Sequence, residues 1–200
     1  MTADAATLAF YAREAPVYAD FAEKAAETPY LAKFMSLLPA GASVLDLGAG
    51  AGWGAGRMQA EGFTVLAQDA SPELLAEAER RYAVPIRVAR FDDLDDAAAW
   101  AGIWACFSLL HAPRAAMPDI LARCHRALTP GGLIYLGLKA GEGEMRDKLG
   151  RLYTHYAEDE IRGLLTAAGF TGIDTRLRGG GAGYDGTPTT ALHVFARRAD

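Results

Sequence analysis

The 200-residue sequence predicts an α/β fold built on one doubly wound, seven-stranded sheet, and three observations carry that expectation. From Ser43 onward, short β-branched and apolar runs alternate with longer segments of helical period, the pattern of βαβ units feeding a parallel sheet. The apolar run Val44-Leu45-Asp46-Leu47 ends in a turn with glycine at alternate positions, Gly48-Ala49-Gly50-Ala51-Gly52. A second turn, Thr129-Pro130-Gly131-Gly132, stops a helical segment and redirects the chain into another apolar run.

Strands are predicted over residues 43–47, 63–68, 86–89, 102–106, 133–138, 172–177 and 192–196, all parallel except the last. The final two read as an antiparallel pair at the sheet edge, joined by a flexible glycine-rich loop, Gly179-Gly180-Gly181-Ala182-Gly183. The clearest helix is 71–83: Ser71 can cap it, Pro72 fits its first position, Glu73 suits its positive end, and Leu74, Ala78 and Tyr82 recur on one face. Further helices are expected over 114–128 and 157–168. The chain reads as one domain: a helical N-terminal segment or lid (1–40), a ligand-binding half (43–138), an insertion (139–156), and a last helix with a strand pair (157–200). Phe10, Tyr11, Tyr18, Phe21, Tyr30 and Phe34 either pack the first segment onto the sheet or face a ligand beneath it.

Composition excludes several classes. Twenty Lys and Arg against 25 Asp and Glu give a net charge of −5, opposite in sign to the footprint nucleic-acid binding needs. Hydrophobic residues make up 51% of the chain, yet no apolar run approaches the roughly 20 residues that span a bilayer, and the N-terminus lacks a secretory pattern. A cytoplasmic protein without membrane or nucleic-acid partners is expected, as monomer or homodimer. Cys106 and Cys124 form no C-x-x-C pair, and His111, His125, His155 and His193 are scattered, so no metal site is expected.

The glycine turn lets a ligand approach the backbone closely. Asp69, 19 residues beyond Gly50 and at the end of the second strand, can accept hydrogen bonds from ribose hydroxyls. Gly50-Ala51-Gly52-Trp53-Gly54-Ala55 also satisfies a dinucleotide fingerprint, which keeps an NAD(P)-dependent oxidoreductase open as a rival. Asp46 argues against it: an acid ahead of the turn would oppose a pyrophosphate but suits a ligand bearing an ammonium group. S-adenosylmethionine carries an ammonium and a sulfonium.

On these residues the sequence resembles the class I S-adenosylmethionine-dependent methyltransferases, whose fold is Rossmann-like. Val44 to Gly52 is similar to the family's first motif, Ala70-Ser71-Pro72-Glu73-Leu74-Leu75 to the segment after the ribose acid, Leu109-Leu110-His111 to the residues after strand 4, and Leu128-Thr129-Pro130-Gly131-Gly132 to the turn into strand 5. The resemblance implies that Asp46, Gly48, Ala49, Gly50 and Gly52 hold the methionine end, and that Asp69, with Ala70 beside it, holds the ribose. S-adenosylhomocysteine is the implied product. The sequence departs from the family where an acid commonly precedes the leucine after strand 3: counted back from Leu94, that place holds Arg90. Phe91 is then expected to cover the adenine and Asp92, or Asp93, to take its amino group, with Cys106 near the methionine moiety.

Transfer from a sulfonium leaves a neutral sulfide, so alignment in a dry cleft matters most and a general base is optional. His111 and Tyr11 are the candidate catalytic residues. Lys139, Arg146 and Arg151, in the insertion after strand 5, are expected to bind a small and anionic acceptor. A module that binds the cofactor without catalysis is the second rival.

Overall fold

The computed structural model describes residues 4–24 and 28–199. Helices α1 (Ala5–Lys24) and α2 (Thr28–Ser36) precede an alternating run of β1 (Ser43–Leu47), α3 (Trp53–Ala60), β2 (Thr64–Asp69), α4 (Pro72–Tyr82), β3 (Ile86–Val88), β4 (Trp100–Cys106), α5 (Met117–Ala127) and β5 (Leu128–Lys139). A small ribbon of β6 (Glu144–Arg146) and β7 (Leu152–Thr154) follows, then α6 (Glu158–Ala167), β8 (Phe170–Ala182) and β9 (Pro188–Arg198). The main sheet has the order β3-β2-β1-β4-β5-β9-β8. β1 to β5 pair in parallel, and β9 runs antiparallel to both its neighbours, β5 and β8.

Alternation along the strands sends side chains to two helical layers. Leu45, Leu47, Ile103, Ile134 and Leu136 pack with Leu121 of α5 and Ile161 of α6. Val44, Val65, Trp104, Tyr135 and Phe195 pack on the opposite face with Phe34 of α2, Met58 of α3 and Leu75 of α4. Strand order reverses between β1 and β4, and such a reversal opens a crevice at the carboxyl ends of the strands. No described helix is long and apolar enough to cross a membrane.

Helix α4 forms as its signals predict: Ser71 Oγ accepts from the Leu74 N–H at 3.3 Å, Pro72 opens the first turn, and Ala83 closes the helix in a left-handed conformation. Helix α1 lies across α4, tied to it by Arg81, whose guanidinium meets Asp20 at 2.7 Å.

Two expectations change. The stretch Gly179 to Ala182 is not a free loop: it completes β8, where Gly181 and Ala182 pair with Thr189 and Pro188 after a register shift beyond Arg178. Ladder bonds use the main chain, so the missing side chains do not prevent pairing. The insertion over 139–156 holds a short hairpin, with Glu144, Met145 and Arg146 paired to Thr154, Tyr153 and Leu152.

Candidate active site

The turn after β1 is held by the strand beside it. Gly48 and Ala49 donate their N–H groups to the Gln68 carbonyl at 2.7 and 2.9 Å, and Gly50 donates to Asp69 Oδ2 at 2.9 Å. The other oxygen of Asp69 accepts from the Ser71 N–H at 2.9 Å, which fixes the carboxylate at the mouth of the crevice. Burial pushes the Asp69 pKa up, against the lowering effect of these backbone donors. Gly50 has φ +54° and no atom lies within 4 Å of where its Cβ would stand, so the turn offers open space there. Around that space lie Gly48, Ala49, Asp69, Ala70, Leu74, Arg90, Phe91 and Ser108.

The other turn residues differ in role. A Cβ on Gly48 would meet Ser108 Cβ at 2.2 Å, and one on Gly52 would meet Ala78 Cβ at 2.5 Å, so these glycines serve close packing within the protein. Asp46 lies behind the turn, 3% exposed, where it accepts from the Ala55 N–H of α3 and does not line the crevice. Burial raises its pKa to about 7, with a further push from Asp69. Asp92 is partly buried and outside the crevice lining, whereas Phe91 and Cys106 lie in it.

A larger cavity of about 400 Å³ adjoins this crevice under α1. Tyr11, Tyr18, Trp53, Cys106, Phe107 and His111 line both spaces and form their junction. Phe107 takes φ +53°, a conformation uncommon outside glycine, directly after β4. The junction has a defined hydrogen-bond polarity. His111 Nδ1 lies 2.6 Å from the Leu152 carbonyl, which only accepts, so Nδ1 carries the proton. Nε2, 2.9 Å from the Tyr11 hydroxyl, therefore accepts from it when the ring is neutral. Burial lowers the His111 pKa to about 4, so the ring is neutral at neutral pH. Arg151 Nη1 donates to the Tyr11 oxygen at 3.1 Å.

A family model described as a methyltransferase domain matches residues 44–132, the span from β1 into β5. The 1,6-didemethyltoxoflavin-N1-methyltransferase of Burkholderia thailandensis, crystallised with 1,6-didemethyltoxoflavin and S-adenosylhomocysteine, is 27% identical, with a TM-score of 0.79 over 98% of this chain and 88% of that one. Residues 44–132 thus carry a methyltransferase domain, on a fold shared with S-adenosylmethionine-dependent methyltransferases. The same fold recurs in a Methanosarcina mazei methyltransferase (19% identical, TM-score 0.73, 82% of this chain and 96% of that one). It recurs again in phosphoethanolamine N-methyltransferase 2 of Haemonchus contortus (15% identical, TM-score 0.71, 86% and 53%). No curated protein matches the sequence.

The three cations expected to bind an acceptor together are separated. Lys139 lines the larger cavity, its ammonium 3.7 Å above the Tyr153 ring. Arg151 also lines it but is 1% exposed and already bound, Nε and Nη2 meeting Asp147 Oδ2 at 2.9 and 2.6 Å. Arg146 does not reach the cavity: its two terminal nitrogens donate at 3.0 and 2.8 Å to the oxygens of Asp4, which lines the smaller crevice. The reason is hairpin alternation, since Met145 and Arg146 face opposite sides of the β6–β7 ribbon. Sequence reasoning did not find Trp53, Phe107, Arg178 or Tyr184, which also line the cavity. Phe107 alone had a signal, its place immediately after strand 4.

Proposed function

We propose that this methyltransferase acts on a small molecule held under α1, by in-line displacement, with Tyr11 and His111 at the point of transfer. The observation that carries the reading is the shared wall: the crevice beside Gly50 and Asp69 and the larger cavity meet at Tyr11, His111, Cys106 and Phe107. The open space at Gly50 and the carboxylate of Asp69 fit an adenosyl group, with Gly48, Ala49, Gly50 and Ala70 along its backbone side and Phe91 beside it. Asp46 and Gly52 then act through the turn they support, and Asp92 from outside the crevice.

Bound S-adenosylmethionine supplies a methyl group on a positively charged sulfur. The cavity walls align the acceptor's lone pair with the carbon–sulfur bond, the main demand of such a displacement. Tyr11, its proton committed to His111 and its oxygen accepting from Arg151 and Tyr18, is a fixed wall that holds the nucleophile against the methyl group; the neutral sulfide leaves, and any proton on the nucleophile is lost to solvent after transfer. The acidic protein and the concave cavity favour a cytoplasmic small molecule over nucleic acid. The similar Burkholderia enzyme is the N1-methyltransferase of 1,6-didemethyltoxoflavin.

The test has two arms. S-adenosylhomocysteine should raise the melting temperature saturably while nicotinamide dinucleotides leave it unchanged. A metabolite extract supplied with methyl-labelled cofactor should then yield a labelled small molecule, and Tyr11→Phe, which frees the wall from His111 and Arg151, should slow its formation by about 10²-fold through misplacement. Stabilisation by a dinucleotide alone would reverse the assignment.

A further inference from the structure

Granted methyl transfer at this site, the walls of the larger cavity narrow the acceptor further. Lys139 of β5 pairs with Ala191 of β9, and Arg178 of β8 pairs with the same Ala191. Residues paired across neighbouring strands share a face of the sheet, and all three line the cavity. At strand spacings of about 4.8 Å, the two cations therefore rise from positions roughly 10 Å apart with only a methyl group between them. This is a floor with room for one small anion flanked by two positive side chains.

The surroundings favour negative charge there. Among the described residues, no Asp or Glu side chain lines the cavity. Of the nearest carboxylates, Asp147 is held by Arg151, and Asp185 acts on Lys139 from outside the cavity lining. Burial lowers the Lys139 pKa despite the opposing pull of Asp185, so its ammonium is short of solvation and stands to gain from an anionic partner. Lys139 and Arg178 line only the larger cavity, apart from the junction where methyl transfer takes place.

The remaining walls are flat. Tyr18 and Phe21 of α1 meet Tyr184 of the β8–β9 turn edge to face or nearly so, with centroids 5.4 and 5.0 Å from it, while Phe107 and Tyr153 bound the sheet side. Beyond Arg178, Gly179, Gly180 and Gly181 present bare peptide. A volume of about 400 Å³ lies in the range of sites for small ring systems.

We propose that the methyl acceptor is a planar aromatic molecule carrying an anionic group, its ring lying among the tyrosine and phenylalanine faces and its anion seated over Ala191 between Lys139 and Arg178. The nucleophilic atom then lies at the opposite end of the ring, against Tyr11.

Calorimetry on the protein saturated with S-adenosylhomocysteine tests this with four probes: 2-naphthoate, 2-naphthamide, cyclohexanecarboxylate and 2-naphthylmethylammonium. The planar anion should bind about tenfold or more tighter than each of the others, a difference of about 1.4 kcal/mol. Lys139→Met and Arg178→Met should each remove most of that preference, with S-adenosylhomocysteine titrations of the same variants reporting that they remain folded. Equal or tighter binding of the amide or the cation, no binding of 2-naphthoate, or an unchanged preference in both variants would overturn the proposal. Failure of S-adenosylhomocysteine itself to bind would instead remove the methyl-transfer reading on which it rests.

Discussion

Asp69 and Gly50 show how a single residue's surroundings decide what its replacement does. Asp69 accepts from Gly50 with one oxygen and from Ser71 with the other, so its replacement loosens the turn as well as removing the partners proposed for a ribose. Asp69→Ala should weaken S-adenosylhomocysteine binding by about 1.5 to 3 kcal/mol per lost charge-assisted hydrogen bond, measured by calorimetry, and unchanged affinity would place the ribose elsewhere. At Gly50 a new side chain meets no protein atom, so Gly50→Val should cost only the left-handed backbone, about 1 to 2 kcal/mol, and still fold. The valine would occupy the open space, and binding should be lost while the circular-dichroism spectrum is kept. Both residues were legible in the sequence because a glycine turn and a strand-end acid are local patterns. Asp46 was legible as an acid but not in its direction: one residue along a strand reverses the face, and it points under α3 rather than into the crevice.

At the scale of elements, α1 and the β6–β7 ribbon are fastened to each other by bonds of unequal worth. The Leu152 N–H donates to Thr7 Oγ1 at 2.9 Å, and the carbonyl of the same residue receives His111 Nδ1–H, so one residue ties α1, the ribbon and the turn after β4. Arg146 and Asp4 add an ion pair in which the arginine is half exposed, and such pairs contribute about 0 to 1 kcal/mol. Arg151 is enclosed by Phe10, Tyr11, Tyr153 and Tyr184 and pairs with a nearly buried Asp147. Urea unfolding should therefore show Arg146→Ala losing less than about 1 kcal/mol and Arg151→Met losing about 3 to 5, because the second strands Asp147 without its partner. Equal losses would mean that Asp147 finds water when Arg151 is gone. The sequence showed these arginines as equivalent cations in an unpatterned segment. Their difference arises from a hairpin of three residues per strand, too short for alternation to be read, and from partners 140 or more positions away.

The whole molecule inherits its site from the order of the strands, and that order was legible because each βαβ unit carries its own local signals while right-handed crossovers leave few arrangements. Three buried groups then make the stability of the entire sheet depend on pH. His111 and His193 have pKa values lowered to about 4, so the folded state resists protons that the unfolded chain takes up, and stability falls as pH drops from about 6.5 towards 4. Asp46 works in the opposite sense. Its pKa is raised from 3.8 to about 7, so between those values the unfolded chain ionises while the folded one keeps its proton, and stability falls as pH rises through the window. Asp46→Asn removes this penalty and leaves both histidines in place. The variant and the parent should be nearly equal in stability at pH 4, and the variant should gain steadily to a plateau near pH 7, by at most about 4 kcal/mol at 1.36 kcal/mol per pKa unit. Denaturant unfolding of the cofactor-free protein at a series of pH values measures this difference directly. A difference that stays flat from pH 4 to 7 would show that Asp46 ionises in the folded protein as readily as in the unfolded one, and that the floor of the turn admits water.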